Sequence, residues 1–261
     1  MDKEERDNIL STYEHVFRNE ESYYGKKTVR STPSFNLEDE QFFRLANLKF
    51  KKMIGFVKGK KILDVGCGRG LLSFYLARKG ANVIGIDLSK GFIDHCKREA
   101  EKLNYDLEFK VMNALIPDFE DKTFDIIVGS RAIHHLPNLE IFFRECKRLL
   151  KKKGYIVFIE PLKKNPIVEL NRKYFAPKQR TNYEHPLLIS DVLKARKRFG
   201  NIKHFEYFLI SPFAMVLVRI LKNRALFRTT YKFLNILEKP LCKIKFLQNY
   251  CWQTVFKCIK I

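Results

Sequence analysis

The stretch Lys61-Ile62-Leu63-Asp64-Val65-Gly66-Cys67-Gly68-Arg69-Gly70, with Gly85-Ile86-Asp87-Leu88 downstream of it, decides the fold. The first segment reads as a buried parallel strand running into a glycine turn and a helix. The second reads as another buried strand that ends in a carboxylate. Glycines let a backbone approach a ligand without interference from Cβ, and an acid after the second strand can take both hydroxyls of a ribose. Together the two segments describe a nucleoside site.

The spacing says which nucleoside. A dinucleotide fingerprint needs G-x-G-x-x-G, the third glycine packing helix on strand and the helix N-terminus facing a pyrophosphate. Here the glycines fall at 66, 68 and 70, and Leu71 occupies the position of that third glycine. Asp64 sits inside the turn region, where it repels a pyrophosphate but suits a cationic ligand. The pattern Asp-x-Gly-x-Gly-x-Gly, with Asp87 downstream, resembles the class I S-adenosylmethionine-dependent methyltransferases.

The resemblance runs over about residues 60–161 and implies roles for individual residues. Gly66, Cys67, Gly68 and Gly70 form the turn around the methionine and sugar of the cofactor, with Asp64 near its amino group. Asp87 takes the ribose hydroxyls, and Leu88 covers a face of the adenine. Where the family carries Asp-Ala after the third strand, this chain has Asn113-Ala114. Asn can still accept from the adenine amino group through its carbonyl oxygen, so binding of altered strength is expected. Phe124–Val128 fits the fourth strand and Gly154–Pro161 the fifth. The cofactor implied is S-adenosyl-L-methionine, leaving S-adenosyl-L-homocysteine as product.

Outward from this core, strands are expected near 61–66, 82–87, 107–112, 124–129 and 155–160, with helices near 70–79, 90–103 and 138–151. Alternation of this kind predicts an α/β, doubly wound, Rossmann-like seven-stranded sheet. Ligands then bind beyond the carboxyl ends of the strands, where Gly66, Asp87, Asn113 and Arg131 lie. Residues 1–58 are expected to form an N-terminal helical cover, with helices near 5–18 and 37–56. The methyltransferase core is expected over 59–209. Residues 161–187 read as a loop rich in Pro, Arg and Tyr, before a helix near 190–199 and a strand near 201–208. The seventh strand is expected at Trp252–Ile259, which makes 210–250 a helical insertion before it and 210–261 a lid or membrane-docking segment.

Charge singles out the same insertion. The chain carries a net charge of +21, and residues 161–261 hold 21 Lys/Arg against five Asp/Glu. Along 210–250 apolar residues alternate with Lys/Arg, and Glu238 is the only acid. Apolar faces edged by lysine suit helices lying in a membrane interface, where apolar burial and attraction to anionic lipid add. They equally suit a helical lid packed on the sheet with its charges solvated. No apolar run reaches the roughly 20 residues a spanning helix needs, and Met1–Asn8 is too acidic and polar for a signal peptide. A cytoplasmic protein is expected, peripheral on the inner face of the membrane in the docking reading. Six cysteines without zinc or Cys-x-x-Cys spacing read as free thiols in a reducing compartment, and no metal site is expected.

Methyl transfer from a sulfonium is an in-line displacement with an activated leaving group, so positioning and exclusion of water dominate. A hydroxyl acceptor also needs a proton removed. His134 and His135 follow the fourth strand at the mouth of the site, where a His near its ordinary pKa can act as base, and His134 is the one expected to do so. Glu160, ending the fifth strand, is the other candidate for base or acceptor-orienting acid, and His185 and Arg180 lie in the loop beyond. Packing and turn geometry are the competing roles for all of them.

Three functions fit. The first is a methyltransferase acting on a small or lipid-linked acceptor, at oxygen, docked on an anionic membrane. The second is an RNA methyltransferase whose basic C-terminal region contacts phosphates. It is opposed by Ser130-Arg131-Ala132-Ile133, which replaces the Asn/Asp-Pro-Pro-Tyr/Phe sequence of base-amine methyltransferases. The third is a pseudoenzyme that only binds the cofactor.

Overall fold

The computed structural model of the chain describes residues 2–25, 37–175, 185–221 and 224–261. Helices α1 (Lys3–Gly25) and α2 (Leu37–Ile54) come first. Strands and helices then alternate through β1 (Lys61–Val65), α3 (Leu71–Ala77), β2 (Asn82–Asp87), α4 (Lys90–Lys102), β3 (Glu108–Val111), β4 (Phe124–Ser130), α5 (Leu139–Leu149) and β5 (Leu150–Pro161). Next are α6 (Pro166–Phe175), α7 (Ile189–Phe199) and β6 (Ile202–Tyr207). Helices α8 (Pro212–Leu221), α9 (Arg224–Leu241) and α10 (Lys245–Gln248) precede β7 (Gln253–Ile259).

The strands form one sheet in the order β3-β2-β1-β4-β5-β7-β6. Strands β1 to β5 pair in parallel, whereas β7 is antiparallel to both β5 and β6. The last strand of the chain is thus threaded between two earlier ones, with α8–α10 as the excursion that precedes it. This is the doubly wound architecture expected, with N-terminal helices and a C-terminal helical insertion. Its central strands are nearly unbroken apolar runs, because a parallel strand covered on both faces has no polar side: Ile62, Leu63, Val65, Ile126, Ile127 and Val128 are all buried. On one face Phe42, Phe50, Phe227 and Val255 share a core. On the other Phe142, Phe143, Phe158, Val192 and Phe256 do so.

Residues 161–187, expected to be a loop, contain α6. Asn165 starts this helix by accepting from the Val168 N–H through Oδ1 at 3.0 Å, and Pro166 occupies the first turn, where its missing N–H costs nothing. Asn165 Nδ2 also donates to the carbonyls of Phe208, Leu209 and Tyr250, so the helix start is anchored to the turn after β6 and to the approach to β7. An Asn-Pro pair signals a helix start as well as a turn, and the tertiary carbonyls chose the helix. Arg180, Tyr183 and Glu184 lie outside the described residues, as do Pro33 and Ser34.

The N-terminal helices are fastened to this frame. Phe42 of α2 is fully buried, with ring centroids 4.7 Å from Phe208, 5.0 Å from Tyr231 and 5.5 Å from Trp252. The Tyr231 hydroxyl of α9 donates to the Phe42 carbonyl at 2.7 Å, and Lys257 Nζ of β7 donates to the Met53 carbonyl at 2.9 Å. One side chain therefore joins α2, α9 and the turn after β6. Phe42→Ala should destabilise the protein by about 3–5 kcal/mol, since deleting a buried ring leaves a cavity. Equilibrium denaturation in urea checks this, and a loss below about 1 kcal/mol would mean that the node can collapse around the gap.

Candidate functional site

Beyond the carboxyl ends of β1, β2 and β4 the surface opens into a cleft of about 930 Å³. The glycine turn after β1 forms its floor. Gly66 has φ +63°, and a Cβ there would stand 2.5 Å from the Ala132 Cβ, so the turn and the segment after β4 approach as closely as they do only with glycine. Gly68, at φ +51°, faces open space. Its N–H donates to Asp87 Oδ2 at 2.9 Å, while the Ser89 N–H donates to Oδ1 at 2.8 Å. The acid at the end of β2 is thereby stitched to the glycine turn. Burial pushes its carboxyl above the usual range, and these two N–H groups pull it back.

Asp64 is buried within β1 and accepts from the Ser73 hydroxyl at 2.6 Å. Burial pushes its carboxyl up to about 7 against that hydrogen bond. Asp64, Gly66, Cys67, Gly68, Asp87, Leu88, Ala114, Arg131 and His135 all line the cleft, so most of the candidate residues converge. Gly70 and Asn113 do not. Gly70 is packed under the turn, where a Cβ would meet the Phe74 ring at 2.9 Å and Cys96 Sγ at 3.0 Å. Asn113 turns its Oδ1 to the Leu115 N–H at 2.9 Å, closing a local turn.

The segment after β4 is held by one carboxylate. Glu160 is fully buried; its Oε1 accepts from the N–H groups of Ala132 and Ile133 at 2.9 and 3.1 Å, and its Oε2 stands 2.7 Å from His134 Nδ1. His134 and Glu160, both candidate bases, therefore lie behind the cleft wall and are not among the residues that line it. They grip the turn that presents Arg131, at φ +55° with its guanidinium over the Phe43 ring, and His135. The exposed His185 meets the same turn through its backbone, donating its N–H to the His134 carbonyl at 3.1 Å.

His135 is the histidine that reaches the cleft, and its Nδ1 stands 3.2 Å from Glu20 Oε2 of α1. Sequence reasoning missed Glu20, together with Phe17 of α1, Asn47, Phe50 and Lys51 of α2, and Arg69 in the glycine turn, all of which line the cleft. A signal existed for Glu20. Ile9, Tyr13, Val16 and Glu20 follow at helical spacing, so an acid sits on the buried stripe of α1. Arg69 carries the other conspicuous polar atom: its Nη1 is buried without a hydrogen-bond partner among the described residues.

Comparison with known proteins finds methyltransferases. Residues 63–158 match a family model described as a methyltransferase domain. The chain is 40% identical over 110 residues to a ubiquinone biosynthesis O-methyltransferase of Pelagibacter ubique, covering 41% of this chain and 44% of the relative. A Coxiella burnetii protein of the same name is 32% identical over 126 residues, covering 48% and 54%. The chain thus spans about half the length of the curated relatives it matches. Geranyl diphosphate C-methyltransferase from Streptomyces coelicolor, solved with S-adenosyl-L-homocysteine, superposes with a TM-score of 0.60 at 14% identity over 94% of this chain and 98% of that one. A Haemonchus contortus phosphoethanolamine N-methyltransferase gives 0.58 at 19% identity over 91% and 60%. At these identities the likeness speaks for the fold.

Glu160 is thus a structural clamp on the cleft wall. Glu160→Gln should lower stability by about 1–3 kcal/mol, because an amide turns a donor toward His134 and leaves a buried group unsatisfied. Thermal and urea denaturation measure it. An unchanged midpoint would show that the turn holds its shape without the carboxylate.

Proposed function

We propose that this chain, whose residues 63–158 form a class I S-adenosylmethionine-dependent methyltransferase domain, transfers a methyl group to a hydroxyl of a small or lipid-linked acceptor. The observation that carries the reading is the cleft itself, where a cationic nucleoside finds a partner for each of its parts. Gly68 offers an open backbone to it, Asp87 suits the ribose hydroxyls, and Leu88, Met112 and Leu136 suit the adenine faces. Asp64 and Glu20 suit the positive charge. The buried Nη1 of Arg69 suits the cofactor's carboxylate. Bound there, S-adenosylmethionine supplies an electrophilic methyl carbon on a sulfonium.

The remaining work falls to the chain. Helices α1 and α2 line the cleft with Phe17 and Phe50 and help exclude water. The imidazole of His135, with Glu20 Oε2 3.2 Å from its Nδ1, suits the role of taking the proton of the acceptor hydroxyl. Oxygen as the methylated atom is supported by the names of the curated relatives. The basic, apolar C-terminal helices support a place on the cytoplasmic face of a membrane, where a lipid-linked acceptor resides.

Binding should depend on pH through Asp64. In the free protein its carboxyl titrates near 7; a cation beside it favours the ionised form, so binding releases a proton. Affinity for the cofactor should therefore rise as pH increases from below to above that value, then level off. Calorimetry across this range checks it, and Asp64→Asn should flatten the curve. A flat profile in the unmodified protein would separate Asp64 from the charge of the ligand.

Turnover tests the base. With a phenolic, isoprenoid-bearing acceptor, His135→Ala should lower kcat by about a hundredfold or more while cofactor binding is kept. Full activity in His135→Ala would remove the residue from the chemistry. Intact binding without transfer to any hydroxyl acceptor would favour a pseudoenzyme.

A further inference from the structure

The insertion between β6 and β7 carries a surface that takes no part in the chemistry of methyl transfer. Helix α9 buries Phe227, Asn235 and Glu238 against the rest of the protein. Its other face exposes Phe233 at 60% and Ile236 at 64%, with Leu226 and Leu237 also exposed; beyond the helix end Ile244 and Phe246 are exposed as well. At about 100° per residue, Leu226, Phe233, Ile236 and Leu237 fall within roughly 100° of arc, and Arg228, Lys232 and Lys239 within roughly 40° along one edge. Lys243 and Lys245 are exposed beyond the helix end.

The one acid of residues 226–250 is absent from this surface. Glu238 faces inward, where its carboxylate accepts from the Ile210 N–H, the Ser211 N–H and the Ser211 hydroxyl, each at 2.8 Å. What remains outside is an apolar stripe with a cationic border and no negative charge.

We propose that this face docks in the plane of an anionic lipid surface. The apolar side chains enter the boundary between headgroups and acyl chains while the lysines and Arg228 meet lipid phosphates. Charge selects this occupant. A second copy would bring the same cations from a chain of net charge +21, so like charges would oppose pairing. A nucleic acid would satisfy the cations and leave phenyl and aliphatic groups in water. Among the described residues no helix is long and apolar enough to cross a membrane, so α9 lies along the interface. The proposal deepens the lipid-linked acceptor reading and rests on it for its purpose: α9 is bonded to α2 through Tyr231, and α2 lines the cleft with Asn47, Phe50 and Lys51.

Co-sedimentation of the full chain tests it, with vesicles of phosphatidylcholine alone and of phosphatidylcholine mixed with phosphatidylglycerol. The mixed vesicles should recover about tenfold more protein, and high salt should erase most of the difference. Phe233→Ser with Ile236→Ser should reduce recovery on both vesicles, and Lys232→Glu with Lys239→Glu should abolish the preference for the anionic ones. All four positions are exposed, so cofactor affinity should stay unchanged and report an intact fold. Equal recovery on the two vesicles, or none on either, overturns the proposal. So does salt-sensitive RNA binding lost in the charge variant without vesicle binding, or a dimer in solution that Phe233→Ser dissolves. If the unmodified protein binds vesicles but no S-adenosylmethionine, the methyl-transfer reading fails while the docking stands.

Discussion

One buried carboxylate governs the shape of the cleft. Glu160 ends β5 in full burial and gathers two backbone N–H groups and an imidazole nitrogen from the segment after β4. A carboxylate removed from water needs such donors, and those donors, buried or partly buried, need an acceptor. The mutual requirement fixes the turn that begins at Arg131, a residue in the left-handed region. That turn lies against Gly66 from the other side, at a distance only glycine allows. Floor and wall of the cleft thus set each other's position, and His135 is delivered to the mouth as a consequence.

Within this frame the electrostatics are unusual. Asp64, Asp87 and Glu20 share one cleft, and burial raises the first two above the ordinary carboxylate range. Glu20 pushes Asp87 further up while His135 draws it down. Free of ligand, the group of acids is held at a cost in desolvation, and a cation relieves it. The same arrangement would resist a pyrophosphate.

The insertion before β7 shows how far a tertiary contact can change a surface. Glu238 is one acid among many cations in the linear sequence. Turned inward to cap the start of α8, it leaves α9 outwardly cationic and apolar. The aromatic node around Phe42 then ties that helix to α2, so the outer face and a wall of the cleft belong to one packed unit.

The sequence alone determined the alternation of strands and helices from β1 to β5, with the glycine turn and its companion acid, because glycine spacing and buried apolar runs are local properties written in consecutive residues. It also placed the last strand and the insertion before it. It did not determine which candidate side chains share the cleft. His134 and His135 are neighbours in the chain with opposite fates: one is buried against Glu160, the other faces Glu20 from a helix more than a hundred residues upstream. Gly70 matches the motif and Asn113 stands where the motif has its acid, yet each satisfies a local need away from the cleft. Only the tertiary structure could decide these cases, because the partner that fixes each side chain's direction comes from a distant segment, and pairing between distant segments leaves no periodic trace in the sequence.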